Sequence, residues 1–181
     1  KKMKIKLKEN LSVIVERHPC YESINKKLME QINHLSFENP DQLHYYTNIR
    51  GNQYSFDAHK ADTGPTIKLI ENWVKELIAI NFQRNLEFPL ENYSFWFSKL
   101  NDEKGQLTYA HHHLCNATFA VVYFVNTPKG SSPLVFSTSG KKIKAEEGKV
   151  VIFPASLRHM VPQNRCKDRV VLAGNIGFPS H

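Results

Sequence analysis

The stretch 107–125, LTYAHHHLCNATFAVVYFV, decides the fold and holds the first functional signal. Its second half, 117–125, is rich in β-branched and aromatic residues and reads as a strand. Its first half ends in three consecutive histidines. In an extended strand, side chains two residues apart share a face, so His111 and His113 project together while His112 points away. Two imidazoles on one face, joined by a third from a distant strand, are the minimum for holding a transition metal with coordination positions left open. His159 is the candidate third ligand. A shift of the strand by one residue would bring in His112 instead, and that alternative stays open. Alternation would also carry Cys115 to the same face unless a turn follows His113, and a buried inert thiol is the default reading for it.

Around this stretch the second half of the chain reads as short strands at 93–100, 107–113, 118–125, 134–136, 141–145, 149–153, 158–161 and 169–176. Turn signals separate them: Gly105, Pro128 with Gly130, Gly140, Gly148 and Pro162. Many short strands with closely spaced turns indicate a sandwich or barrel. The first half differs. Residues 11–15 suggest a strand, and 21–35 place Ile24, Leu28, Ile32 and Leu35 at helical spacing. A second helix is expected from about Thr63-Gly64-Pro65 to Phe82, with Ile67, Ile70, Trp73, Val74, Leu77 and Ile78 facing inward; proline is well tolerated near a helix start. The expectation is a mainly β fold with α, a jelly roll buttressed by N-terminal helices. It forms one domain over 1–181, with 1–90 as helical support and 91–178 as the core.

The 181 residues suffice for one domain with a real core. The net charge of +7 hints at nucleic acid until it is located: five of those charges are Lys1, Lys2, Lys4, Lys6 and Lys8. The rest of the chain is nearly neutral, so a nucleic-acid partner is not expected and the lysine arm reads as a protected edge strand. No apolar run is long enough to cross a membrane, and the arm lacks the apolar centre of a secretory signal. With Met3 as a possible native start and three unpaired-looking cysteines, the expected setting is cytoplasmic with reduced thiols.

Arg169 heads the apolar run RVVLAGNIG. Alternation puts Arg169, Val171, Ala173 and Asn175 on one face and Val170, Leu172 and Ile176 on the other. An arginine pointing into the mouth of a barrel can hold a carboxylate through two parallel hydrogen bonds; a surface arginine paired with Asp168 or Glu147 is the plainer reading.

The order His111-x-His113, His159 and Arg169 ten residues on resembles the iron(II)- and 2-oxoglutarate-dependent dioxygenases. The closer likeness is to 2-oxoglutarate-Fe(II) oxygenases that carry His-x-His in place of His-x-Asp, with a prolyl-hydroxylase-like cast. Further matching pieces are Gly105, Val122-Tyr123-Phe124 and Asn175, and most specifically the segment 147–164, EGKVVIFPASLRHMVPQN. The likeness spans roughly residues 93–178. It implies a double-stranded β-helix, with Fe(II) held by His111, His113 and His159. It also implies 2-oxoglutarate, its far carboxylate on Arg169 and a tyrosine hydroxyl as a further hold; Tyr123 is the candidate for that hold, and a purely structural aromatic is the equal alternative for it. The implied reaction with O2 releases succinate and carbon dioxide and hydroxylates a C–H bond of a protein or peptide side chain, or of a small molecule.

His113 departs from the usual motif by replacing a carboxylate with a neutral imidazole. The site is thereby one unit more positive, and three imidazoles suit zinc, copper and nickel as well as iron. Two rival readings follow: a cupin-type three-histidine metal dioxygenase that does not use 2-oxoglutarate, and a non-catalytic jelly-roll binding module. Arg169 separates the first rival from the leading reading, and succinate production separates the second. Tyr45, Tyr46, Tyr54, Trp96 and Phe97 are candidates for lining a substrate entrance.

Overall fold

A computed structural model describes residues 3–7, 11–38, 48–54, 58–82, 91–103, 106–113 and 117–177. In chain order the elements are β1 (Met3–Lys6), β2 (Ser12–Arg17), α1 (Tyr21–Ile32), β3 (Ile49–Arg50), β4 (Asn52–Tyr54), a single 3-10 turn at Ala58–Lys60 and α2 (Gly64–Phe82). Eight strands follow: β5 (Glu91–Leu100), β6 (Leu107–His111), β7 (Phe119–Asn126), β8 (Leu134–Phe136), β9 (Lys141–Ile143), β10 (Lys149–Pro154), β11 (His159–Val161) and β12 (Arg169–Gly177). They form a seven-stranded sheet in the order β1-β2-β10-β7-β12-β5-β4 and a five-stranded sheet in the order β3-β6-β11-β8-β9. The expected helix-buttressed, mainly β architecture is what the chain adopts.

The large sheet is covered on both faces, and strand alternation sorts its residues between two cores. On β12, Val170, Leu172 and Ile176 pack with the helices, while Val171 and Ala173 face the small sheet. On β7 the same division sends Val121, Tyr123 and Val125 outward and Ala120 and Phe124 inward. Two-sided burial explains why these strands read as near-continuous apolar runs.

Packing holds the helices. No side chain caps the start of α1, where Cys20 stands, and a missing cap costs about 1 kcal/mol. Burial of Ile24, Leu28 and Ile32 is worth about 1.5–3 kcal/mol each, which outweighs it. On α2, Ile67, Ile70, Val74, Leu77 and Ile78 are buried, whereas Trp73 is only partly so, its ring meeting His18 edge-on at 4.7 Å.

Several boundaries differ from expectation. Within the lysine-rich arm, Met3–Lys6 form the edge strand β1, with Ile5 and Leu7 packed into the inner core. β3 and β4, of two and three residues, were not anticipated, because neither is long enough to show an alternation. β6 stops at His111 rather than running to residue 113, because the next backbone bond leaves the ladder: the His113 N–H donates to the Ala155 carbonyl at 2.8 Å. Gly105 and Cys115 lie outside the described residues.

Gly148 opens β10 at φ +77°, and a Cβ there would run into the Tyr21 side chain. Its N–H donates to the Phe124 carbonyl, and its own carbonyl accepts from His18. Gly148→Ala should therefore destabilise the protein by about 1–3 kcal/mol, read as a lowered midpoint in thermal or urea unfolding. An unchanged midpoint would contradict this account of the turn.

Candidate metal centre

His111, His113 and His159 come together, with potential ligand nitrogens all within 4.8 Å of one another. Ring centroids are 4.9 Å apart for His111–His113, 4.3 Å for His111–His159 and 5.1 Å for His113–His159. His112 is exposed and outside the group.

A β-bulge aims His111. Across the β6–β11 pair, His159 faces His111 and Val161 faces Thr108, so the single residue Met160 stands opposite two, Tyr109 and Ala110. Thr108 lines the cavity between the sheets. Simple alternation from Thr108 would point Ala110 inward and His111 away; the extra residue turns His111 inward. Hydrogen bonds then select the tautomers. His111 Nδ1 lies 2.7 Å from the Tyr109 carbonyl and His159 Nδ1 lies 2.9 Å from the Leu157 carbonyl. A carbonyl only accepts, so both Nδ1 atoms carry the proton and both Nε2 lone pairs remain for a metal. The Trp96 ring stands 6.1 Å from His113 and the Phe153 ring meets His159 edge-on at 4.7 Å, an apolar wall behind the imidazoles.

Burial pushes all three imidazoles down from their ordinary value, His113 to about 4 and His159 to about 3, with repulsion among the histidines adding to it. The cluster is neutral at pH 7, the state in which imidazole ligates a metal.

Arg169 opens into the same cavity, a space of about 530 Å³ including its mouth, shared with the three histidines, Trp96 and Ala173. Its side chain is fully buried, and its Nε donates to the Ser132 carbonyl at 2.9 Å. Among the described residues Nη2, also buried, has no acceptor. Burial lowers its pKa to about 10, which leaves it a cation at neutral pH. Among the described residues no carboxylate pairs with it; Asp168 instead pairs with Lys99 at 3.2 Å. An unpaired buried cation costs several kcal/mol, a cost that an anion in this cavity would offset. The donor set fits a metal ion, and the orphaned guanidinium fits a carboxylate beside it.

Tyr123 is not brought to the group, and the expectation that it helps hold a cosubstrate is corrected. Alternation on β7 sends it to the helix side, where its hydroxyl donates to Asn25 Oδ1 at 2.6 Å. The inward neighbour is Phe124, whose ring lies 5.5 Å from the Arg169 guanidinium carbon. Of the aromatic residues considered for an entrance, Trp96 lines the cavity and Phe97 packs toward the helices. Tyr45 and Tyr46 lie outside the described residues, as does the Tyr54 side chain. Two residues with buried polar atoms were missed from sequence, Ser132 and Asn164; nothing in a loop of Ser, Pro and Asn distinguishes such residues from ordinary turn formers.

The sequence matches no family profile and no curated protein. Solved structures do match. A prolyl-4-hydroxylase from Pseudomonas putida superposes with a TM-score of 0.69 at 15% identity, over 93% of each chain. HygX from Streptomyces hygroscopicus, determined with nickel and 2-oxoglutarate bound, gives 0.62 at 10% identity over 91% of this chain and 82% of its own. A prolyl hydroxylase from Trichoplax adhaerens, in complex with a hypoxia-inducible-factor peptide, gives 0.63 at 16% identity over 90% and 82%. The chain has the fold of these proteins, the double-stranded β-helix.

Unfolded histidines take up protons near pH 6.5, whereas folded His113 and His159 resist until about 4 and 3. In that window the unfolded chain binds more protons, so stability is lost as pH falls below 6.5. Thermal melts of metal-free protein between pH 7.5 and 4 should show this decline, and His159→Leu should make it shallower. Parallel profiles would contradict the assignment of His159 as a neutral buried imidazole.

Proposed function

We propose that this chain is an Fe(II)- and 2-oxoglutarate-dependent oxygenase whose substrate is a protein or peptide side chain, with a small molecule as the second choice. The observation that carries the reading is Arg169, a fully buried cation with an unused donor, in one cavity with three convergent neutral imidazoles. A cupin-type site that binds only its substrate to the metal gives that arginine no task. The fold shared with two prolyl hydroxylases, one of them in complex with a peptide, and with HygX, determined with nickel and 2-oxoglutarate bound, supports the same reading at the level of architecture.

His111, His113 and His159 would hold the iron through Nε2 of the first and last and one nitrogen of His113. Arg169 would hold the far carboxylate of 2-oxoglutarate, whose two negative charges offset the missing carboxylate ligand at His113. Bound there, Fe(II) supplies the redox chemistry that couples oxidative decarboxylation of 2-oxoglutarate by O2 to hydroxylation of a C–H bond. The residues around it position and exclude. The carbonyls of Tyr109 and Leu157 keep two imidazoles in their ligating tautomers. Trp96, Phe153 and Ala173 keep the walls apolar, so that Arg169 attracts its carboxylate in a dry setting.

Asn175 gives a hint of the substrate. By alternation it shares the face of β12 that carries Val171 and Ala173, opposite Ala120, and among the described residues its buried Oδ1 has no partner. An N–H or O–H of the molecule being oxidised, as a peptide provides, would satisfy this oxygen.

Protein loaded anaerobically with Fe(II) should bind 2-oxoglutarate by calorimetry and release succinate in air, slowly even without substrate. Arg169→Ala should weaken 2-oxoglutarate binding at least about 30-fold and leave metal affinity in place. The oxygenase reading is lost if the wild-type protein, with iron bound, takes up no 2-oxoglutarate and makes no succinate.

A further inference from the structure

We infer that Asn164 is a positioning residue for Arg169: it holds the Ser132 segment whose carbonyl grips the arginine Nε, and so aims Nη2 into the cavity. The inference rests on the reading of Arg169 as the anchor for the cosubstrate carboxylate.

Asn164 lies between β11 and β12 and is only 1% exposed. The two hydrogens of its Nδ2 are shared among the carbonyls of Leu100 at 3.0 Å, Asn101 at 3.2 Å and Cys166 at 2.6 Å. Its Oδ1 accepts the Ser132 backbone N–H at 3.2 Å. Its own N–H donates to the Gln106 carbonyl at 2.9 Å. One side chain thus ties the end of β5, the segment before β8 and the approach to β12.

Ser132 is held a second time, its hydroxyl donating to the Gln163 carbonyl at 2.8 Å. With that residue fixed, its carbonyl has one place to be, 2.9 Å from Arg169 Nε. An arginine side chain has many rotamers, and a grip at Nε leaves only the two terminal nitrogens to meet a ligand. The pre-set fork then loses little freedom when a carboxylate arrives. Only a carboxamide of this length serves here. Aspartate would accept from Ser132 but could donate to none of the three carbonyls, and it would bury a charge.

The test uses full-length protein loaded with Mn(II) under anaerobic conditions, titrated calorimetrically with 2-oxoglutarate. The forms compared are wild type, Asn164→Ala, Asn164→Ser, Arg169→Lys, and Asn164→Ala combined with Arg169→Lys. Loss of the hold should weaken 2-oxoglutarate binding roughly tenfold in either Asn164 variant, with Mn(II) affinity staying within about twofold. Lysine has no Nε–H to be gripped, so in the Arg169→Lys background Asn164→Ala should cost less than about twofold. Additive losses in the double variant overturn the proposal, as does a parallel fall in Mn(II) affinity, which marks a general structural role. Asn164→Ser keeps a donor and an acceptor and carries the comparison if Asn164→Ala does not fold; unfolding of both also marks a purely structural role and overturns the proposal. Wild-type protein that binds Mn(II) but no 2-oxoglutarate defeats the oxygenase reading itself, and is thereby told apart from these outcomes.

Discussion

Burial of the seven-stranded sheet on both faces is the constraint from which the rest of the structure follows. A strand covered on one side tolerates polar residues on the other, but β7, β10 and β12 have no such freedom. Each residue along them must satisfy either the helical layer or the space between the sheets, and a slip of one position would exchange the two sets. The helices therefore do more than cover the barrel. By burying Val170, Leu172 and Ile176 on the outer side, they hold β12 in the register that turns Arg169, Val171 and Ala173 inward.

Inside that apolar frame the polar groups are few, and most of them are answered by backbone. Two imidazoles donate to carbonyls two residues before them in the chain, and Arg169 donates to Ser132. The unanswered atoms stand out for that reason. Among the described residues, Arg169 Nη2 and Asn175 Oδ1, on one face of the same strand, and Ser137 Oγ, just past β8, are buried without partners. Unmade hydrogen bonds of this kind lower stability, and the one at Arg169 lies at the cavity, where an anion would restore it.

Much of this was legible beforehand because it follows from local periodicity. The stripe Ile24-Leu28-Ile32, the long second helix and the division of β12 into two faces all come from spacings of 3.6 and 2. His159 and Arg169 were found by their positions at the starts of apolar strands. Tyr123 was misassigned, because its neighbour Phe124 is the residue on the inner face and a pair of adjacent aromatics does not announce which one turns inward. His111 was assigned correctly to an inward position by a route that the structure replaces: β6 ends before His113, and a bulge rather than unbroken alternation points His111 into the cavity.

The sequence by itself determined the element types, the helix-backed strand architecture and the short list of residues able to ligate a metal or an anion. These depend on side-chain chemistry and on spacing within single segments. Tertiary structure alone decided which of three adjacent histidines join the cluster, that Tyr123 belongs to the helical layer, and that Arg169 has no carboxylate partner among the described residues. It also decided that Asn164 gathers three carbonyls and one N–H from distant segments. Each of these depends on bulges, loop hydrogen bonds and contacts between residues far apart in the chain, and no local period encodes them.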